Sequence, residues 1–175
     1  MKKFNMFKFL SVLLVAAFAL GAFATEAQAK KPGDTIVEIA LGNPNFSTLV
    51  AAVVKADLVD TLNGNRMFTV FAPTNAAFDA AAEAVLGEGY TGMDLVNALD
   101  KETLTTILLY HVSPGERFSG DVVSAERIRM MNKGFVFVDG TTLVGNNSSA
   151  GLILGLIDID ASNGVIHVID FVLLP

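Results

Sequence analysis

Apolar positions along the chain fall into two regimes. From residue 34 the spacing is helical. Asp34 is placed to cap a short helix over Thr35–Leu41, with Ile36, Ile39 and Ala40 on one face, and Gly42 with Asn43-Pro44 ends it. Phe46, Leu49, Val50, Val53 and Val54 then fall at i, i+3, i+4, i+7 and i+8, the pattern of an amphipathic helix. Asn63-Gly64 closes that region. Phe68–Ala72 is a compact β-type run ended by Pro73. Thr74 or Asn75 caps an alanine-rich helix over Ala76–Leu86. Gly87, Gly89 and Gly92 break the chain, and helical segments follow at Asp94–Leu99 and Lys101–Leu109. Ser113-Pro114-Gly115 reads as a turn.

Beyond that turn the period becomes two. Strands are expected at Arg127–Met131, Phe135–Val138, Thr141–Val144, Leu152–Asp158 and Val165–Leu173. Asn132-Lys133-Gly134, Asp139-Gly140 and Ser162-Asn163-Gly164 supply turns, and Gly145–Gly151 is left as a loop. Helices crowd the first half and strands the second. That segregation predicts an α+β fold with antiparallel pairing.

The segment before residue 30 has a different character. Lys2, Lys3 and Lys8 precede an apolar stretch, Phe9–Phe23, and Ala27-Gln28-Ala29 offers small residues at the positions a signal peptidase reads. The stretch is shorter than the roughly 20 residues of a membrane span. Residues 1–29 are therefore expected to be a signal peptide, with cleavage after Ala24 as the alternative. Residues 30–33 form a short lead and residues 34–175 one domain. An exported protein, periplasmic or extracellular and without a membrane span after processing, is the expectation.

Composition narrows the chemistry. The 175 residues are 52% hydrophobic and carry 12 basic against 18 acidic side chains, giving a net charge of -6. An acidic chain lacks the basic face that polyanionic nucleic acid requires. There is no cysteine and there are two histidines, His111 and His167, which removes disulfides, thiolate metal sites and cysteine nucleophiles. No phosphate-binding glycine loop or nucleophile elbow is present. Asp158, Asp160 and Ser162 mimic the opening of a calcium loop. Asn163 stands where its glycine belongs, however, and Ile169 where its bidentate acid belongs. No cofactor, no metal and no enzyme activity are expected. His167 shares a strand face with Val165, Ile169 and Phe171, and both faces of that strand are apolar. It is expected to be buried, neutral and hydrogen-bonded, with Thr74 or Asn75 as partner. Tyr110-His111 reads as a boundary pair with the tyrosine ring packed and both polar tips wet; the functional alternative is an exposed recognition patch. Phe68, Phe71, Phe78, Phe135 and Phe137 are expected to fill the core.

Several segments, taken together, resemble the fasciclin domain family. Phe68-Thr69-Val70-Phe71-Ala72-Pro73-Thr74-Asn75-Ala76-Ala77-Phe78 is similar to its first signature. Asn163-Gly164-Val165-Ile166-His167-Val168-Ile169-Asp170, with Val172-Leu173-Leu174-Pro175, is similar to its second. Leu108-Leu109-Tyr110-His111-Val112 resembles its tyrosine–histidine segment, and Phe46–Val53 its early helix. The resemblance implies a β-wedge or sandwich of antiparallel strands with helices clustered on one side. It also implies a non-catalytic adhesion or interaction module of the cell surface or extracellular matrix. In animal members the tyrosine–histidine segment and an aspartate–isoleucine element are associated with integrin adhesion, which map here to Tyr110, His111, Asp158 and Ile159. The expected partner is a protein or a cell-surface polysaccharide. Asn75 stands where many members have aspartate, Phe171 replaces a common polar residue, and Gly87–Gly92 looks like a local insertion. The competing reading is a carrier of a small apolar ligand, which a filled core disfavours.

Overall fold

The computed structural model describes residues 33–175. The signal peptide expected over residues 1–29, and the lead as far as residue 32, lie outside the described residues. Helix α1 is Ile36–Gly42. Its cap is Thr35, one residue later than expected, because only Thr35 has an acid at the third helical position. Glu38 N–H donates to the Thr35 hydroxyl at 3.3 Å, and the Glu38 carboxylate accepts from Thr35 N–H at 2.7 Å. A 3₁₀ turn, Pro44–Phe46, leads into α2 (Ser47–Lys55), which buries Leu49, Ala52 and Val53 and leaves Val54 61% exposed. Then come α3 (Val59–Leu62), β1 (Phe68–Pro73), α4 (Asn75–Leu86), α5 (Gly92–Ala98) and α6 (Lys101–Leu109). Thr74 caps α4 by accepting from Ala77 N–H, and Asp100 caps α6 through Thr103 N–H.

Strand β2 (Val112–Pro114) occupies the segment read as a turn, and α7 (Ser119–Ser124) was not foreseen. The remaining strands are β3 (Arg127–Arg129), β4 (Phe135–Asp139), β5 (Thr142–Val144), β6 (Ser149–Gly151), β7 (Ile159–Ala161) and β8 (Gly164–Ile169). The tight turn between β4 and β5 sits one residue beyond Asp139-Gly140. Asp139 pairs with Thr142, so Gly140 (φ 60°) and Thr141 are its central residues. The strand expected over Leu152–Asp158 does not form. It becomes a single bridge at Leu152, a 3₁₀ turn at Leu154–Leu156 and a left-handed residue at Asp158 (φ 57°). The expected loop at Gly145–Gly151 instead ends in β6.

The strands make two four-stranded sheets, ordered β2-β1-β8-β7 and β3-β4-β5-β6. Pairing is antiparallel throughout except at the centre of the first sheet. There β1 and β8 run parallel from Phe68↔Gly164 to Pro73↔Ile169. Residues 74–163 lie between those two strands, long enough for the crossover that parallel neighbours require. This pair corrects a purely antiparallel expectation and leaves the α+β class intact.

The central pair divides the interior. Phe68, Val70, Ala72, Ile166 and Val168 point into a core shared with α1–α6. Phe71 and Ile169 point the other way, into a second core with Ile128, Val136, Leu143 and Ala150 of the second sheet and Val122 of α7. Period-two alternation on a strand buried on both faces produces this two-sided packing. At Gly164 (φ 147°) a Cβ would lie 1.9 Å from the Phe68 carbonyl oxygen, so glycine alone permits β8 to start against β1. Phe68, Phe71 and Phe78 are buried as expected. Phe135 and Phe137 are 37% and 47% exposed, because the odd positions of β4 face away from the second core.

Candidate functional site

Imidazole, hydroxyl and carboxylate do converge at one place. His167 on β8 is fully buried and its ring stacks on Phe71 at 5.7 Å. Its Nε2 lies 2.8 Å from the Arg117 carbonyl oxygen, and its Nδ1 accepts from Asp158 N–H at 3.2 Å. A carbonyl only accepts and an amide only donates, so this pair of partners fixes the Nε2–H tautomer. The Asp158 carboxylate turns elsewhere. It accepts from Ser119 N–H at 2.6 Å and from the Ser119 hydroxyl at 2.5 Å. Burial alone would raise the Asp158 pKa. The two Ser119 hydrogen bonds outweigh it and hold the carboxyl below its ordinary value.

This constellation cannot run a hydrolytic relay. A triad needs the hydroxyl bonded to the imidazole and the imidazole N–H bonded to the carboxylate. Here the hydroxyl proton goes to the carboxylate. The nearest carboxylate oxygen is 3.8 Å from an Nδ1 that has no proton to give. What the geometry does is lock three chain segments together: β8, the residue before β7, and the start of α7. His167 thus has backbone partners, and Thr74 and Asn75 are not among them.

Those two residues work at the helical end. Thr74 caps α4. Asn75 clamps two helix starts, accepting from Thr48 N–H of α2 at 3.0 Å and donating to the Pro44 carbonyl (2.9 Å) and the Ser47 hydroxyl (3.0 Å). Asn163 does the same for the other end of the domain and was missed beyond its turn propensity. Buried at 1% exposure, it accepts from Ile36 N–H at 2.9 Å and donates to the Leu62 carbonyl at 2.7 Å. The only signal in the sequence was its place beside Gly164 in the second signature.

Tyr110 and His111 are not a surface pair. They are 0% and 2% exposed. The Tyr110 hydroxyl donates to the Phe135 carbonyl at 2.7 Å, and burial pushes its pKa up. Its ring is flanked by Gly134 and Gly145, where a Cβ would come within 3.0 and 3.2 Å of ring carbons. His111 Nδ1 lies 2.8 Å from the Ile107 carbonyl, and Nε2 accepts from Leu173 N–H at 2.9 Å. Burial drives its pKa down to about 4, against a smaller upward effect of the Ile107 bond, so the ring is neutral near pH 7. The wet-tip expectation fails because α6 ends at Leu109, between the two cores, and the chain there turns inward. Asp158 and Ile159 are half-buried, and Asp158 is committed to Ser119.

Two apolar cavities flank Leu108 and His111. One, about 150 Å³, lies among α1, α2, α3 and β1, with the exposed Leu41 and Val54 at its rim. The other, about 190 Å³, lies among α4, α5 and α6. Among the described residues no group of three or more His, Asp and Glu side chains could hold a metal ion. Nor is any single described helix long and apolar enough to cross a membrane.

Comparison with known proteins agrees with this architecture. The fasciclin domain model matches residues 44–175. The chain is 48% identical over 143 residues to Protein sll1483 of Synechocystis sp., covering 81% of this chain and 73% of that protein. It is 34% identical over 151 residues to the cell surface glycolipoprotein MPB83 of Mycobacterium bovis, covering 81% of this chain and 61% of that one. The FAS1 domain pair of the insect cell adhesion molecule fasciclin I superposes with a TM-score of 0.67 at 20% identity, covering 81% of this chain and about half (51%) of that structure. The class is thus an α+β FAS1 fold. The chain belongs to the fasciclin domain family.

Proposed function

We propose that this protein is an exported, non-catalytic interaction module of the cell surface or matrix, carrying a signal peptide over residues 1–29. The observation that carries the reading is the fate of its reactive groups. Both imidazoles are buried with each ring nitrogen bound to backbone, and the one hydroxyl beside a histidine is spent on a carboxylate. Such groups hold architecture, and contact with a partner falls to the exposed surface of a rigid core. The kinship with a cell surface glycolipoprotein and a cell adhesion molecule supports the same reading. The test is retention of the labelled chain on isolated cell envelopes. Saturable retention is expected; its absence refutes the proposal, and so does a turnover that His167→Ala abolishes while the variant stays folded.

The 150 Å³ cavity favours a second reading, a carrier of a small apolar ligand. Its lining is almost wholly apolar, and a dry cavity of this size holds a benzene-sized guest. Titration with a hydrophobic dye separates the readings. Tight saturable uptake by the native protein, abolished by filling the cavity with Ala40→Phe, supports the carrier.

A further inference from the structure

Among the described residues no element covers the outer face of the second sheet, and its composition departs from that of the chain. Residues 33–175 contain seven basic side chains, and three of them, Arg127, Arg129 and Lys133, lie on the β3–β4 hairpin. Arg127 and Arg129 alternate with the buried Ile128, so both point outward. The cross-strand register sets Arg127 beside Phe137 and Arg129 beside Phe135, two rings that are both exposed. The Arg127 guanidinium also lies over the Phe135 ring, 4.7 Å from its centroid. Among the described residues no carboxylate pairs with either arginine. Asp139 lies on the same face, at the far end of β4 from Lys133.

We infer that this face binds an anionic, carboxylate-bearing polysaccharide. The inference rests on the reading of the protein as an interaction module and names the surface and the partner. A guanidinium stacked on a ring is held in place while its N–H edge stays free to take a carboxylate in two parallel bonds. The negative face of an aromatic ring meets the weakly positive C–H groups on one side of a sugar ring. Successive outward side chains on a strand are about 7 Å apart and neighbouring strands about 5 Å apart, which makes a small grid of alternating charge and ring. A folded protein partner needs about 800 Å² on each side, more than four side chains on two short strands present. A repeating chain needs only a small footprint, because its many copies of one carboxylated unit raise the effective concentration. Charge complementarity points the same way, since this hairpin is the cationic part of an acidic protein.

The experiment titrates the purified chain with polygalacturonate, neutral dextran and poly-glutamate by calorimetry. It is repeated with the Arg127→Gln/Arg129→Gln and Phe135→Thr/Phe137→Thr variants, whose folding is checked by thermal unfolding. Polygalacturonate is expected to bind and dextran not to. Binding should weaken with salt and fall at least tenfold in each double variant. Equal or tighter binding of poly-glutamate overturns the polysaccharide and assigns the face to an acidic protein. A dimer in sedimentation that the phenylalanine variant abolishes overturns it in favour of a second copy of this chain. If the wild-type chain is retained on envelopes but ignores polygalacturonate, or if both variants bind as it does, this inference falls and the interaction module stands. If the chain binds neither envelopes nor polygalacturonate, both fall.

Discussion

His111 makes the stability of this domain depend on pH in a window where few other groups act. Its pKa falls from the ordinary 6.5 to about 4 on folding, chiefly because burial disfavours the charged ring. Between those values the unfolded chain binds a proton that the folded chain refuses, so stability must rise with pH. The contribution is complete above about pH 6.5 and is lost progressively as pH falls to about 4. The interval corresponds to about 3 kcal/mol, a large share of the roughly 5–15 kcal/mol that holds a typical domain together. The perturbation is His111→Leu. It leaves Leu173 N–H without an acceptor, while the Ile107 carbonyl keeps the Tyr110 N–H. At pH 7.5 the variant should be less stable by about 1–3 kcal/mol. Urea denaturation of both proteins at pH 7.5, 6, 5 and 4.5 reads the difference. His167 is common to both and cancels. The lowered pKa values of Asp94, Asp100 and Asp158 confine their loss of stability to pH below about 4. The gap should therefore shrink as pH falls, closing or reversing near pH 4.5. A gap that stays constant across the series refutes a buried neutral imidazole at this position.

Asn75→Asp should cost about 1–2 kcal/mol in urea denaturation at pH 7, because a carboxylate cannot donate to the Pro44 carbonyl 2.9 Å away; an unchanged midpoint contradicts the clamp. Asn163→Ala strands Ile36 N–H and the Leu62 carbonyl together, and a loss of about 2–4 kcal/mol is expected in the same assay. Gly164→Ala drives a methyl group into the Phe68 carbonyl at a backbone angle that disfavours any side chain. Little folded protein should be recovered, and a melting temperature near that of the parent would show that β8 starts elsewhere. Tyr110→Phe removes the hydroxyl that donates to the Phe135 carbonyl and meets the Asn146 backbone, and should lower stability by about 1 kcal/mol without altering envelope retention.

Where periodicity and capping chemistry are local, the sequence was legible. The helix expected over Lys101–Leu109 matches α6 to the residue, and the expected spans of β1, α4 and β8 differ from the observed ones by one to four residues at an end. Three kinds of information were absent. The parallel pairing of β1 with β8 is a non-local choice, and nothing in either strand's own pattern distinguishes it from an antiparallel one. The stretch Leu152–Asp158 is apolar at nearly every position, yet the His167 ring and Ser119 pull Asp158 into a left-handed conformation that ends any strand. Phenylalanine's usual burial puts Phe135 and Phe137 inside. The alternation Phe-Val-Phe-Val already held the correction, since only one of its two faces can meet a one-sided sheet's core.

The same reasoning changes what the signature residues mean. By sequence Tyr110, His111 and His167 are polar groups in apolar surroundings, and the structure adds Asn163; polar groups there are either functional or hydrogen-bonded. Here each is joined to backbone far away along the chain: Phe135 and Leu173, Ile36 and Leu62, Arg117 and Asp158. Each bond ties a loop or helix end to a strand that packing alone would leave free to slide, and each is worth more in a dry interior than at the surface. The groups that periodicity marks as chemically conspicuous are therefore spent on register. On the proposed reading, recognition falls to positions that sequence treats as ordinary, the outward residues of a short hairpin. A variant that fails to bind through Tyr110 or His111 must first be shown to be folded, because loss of either group reaches the partner only through the scaffold.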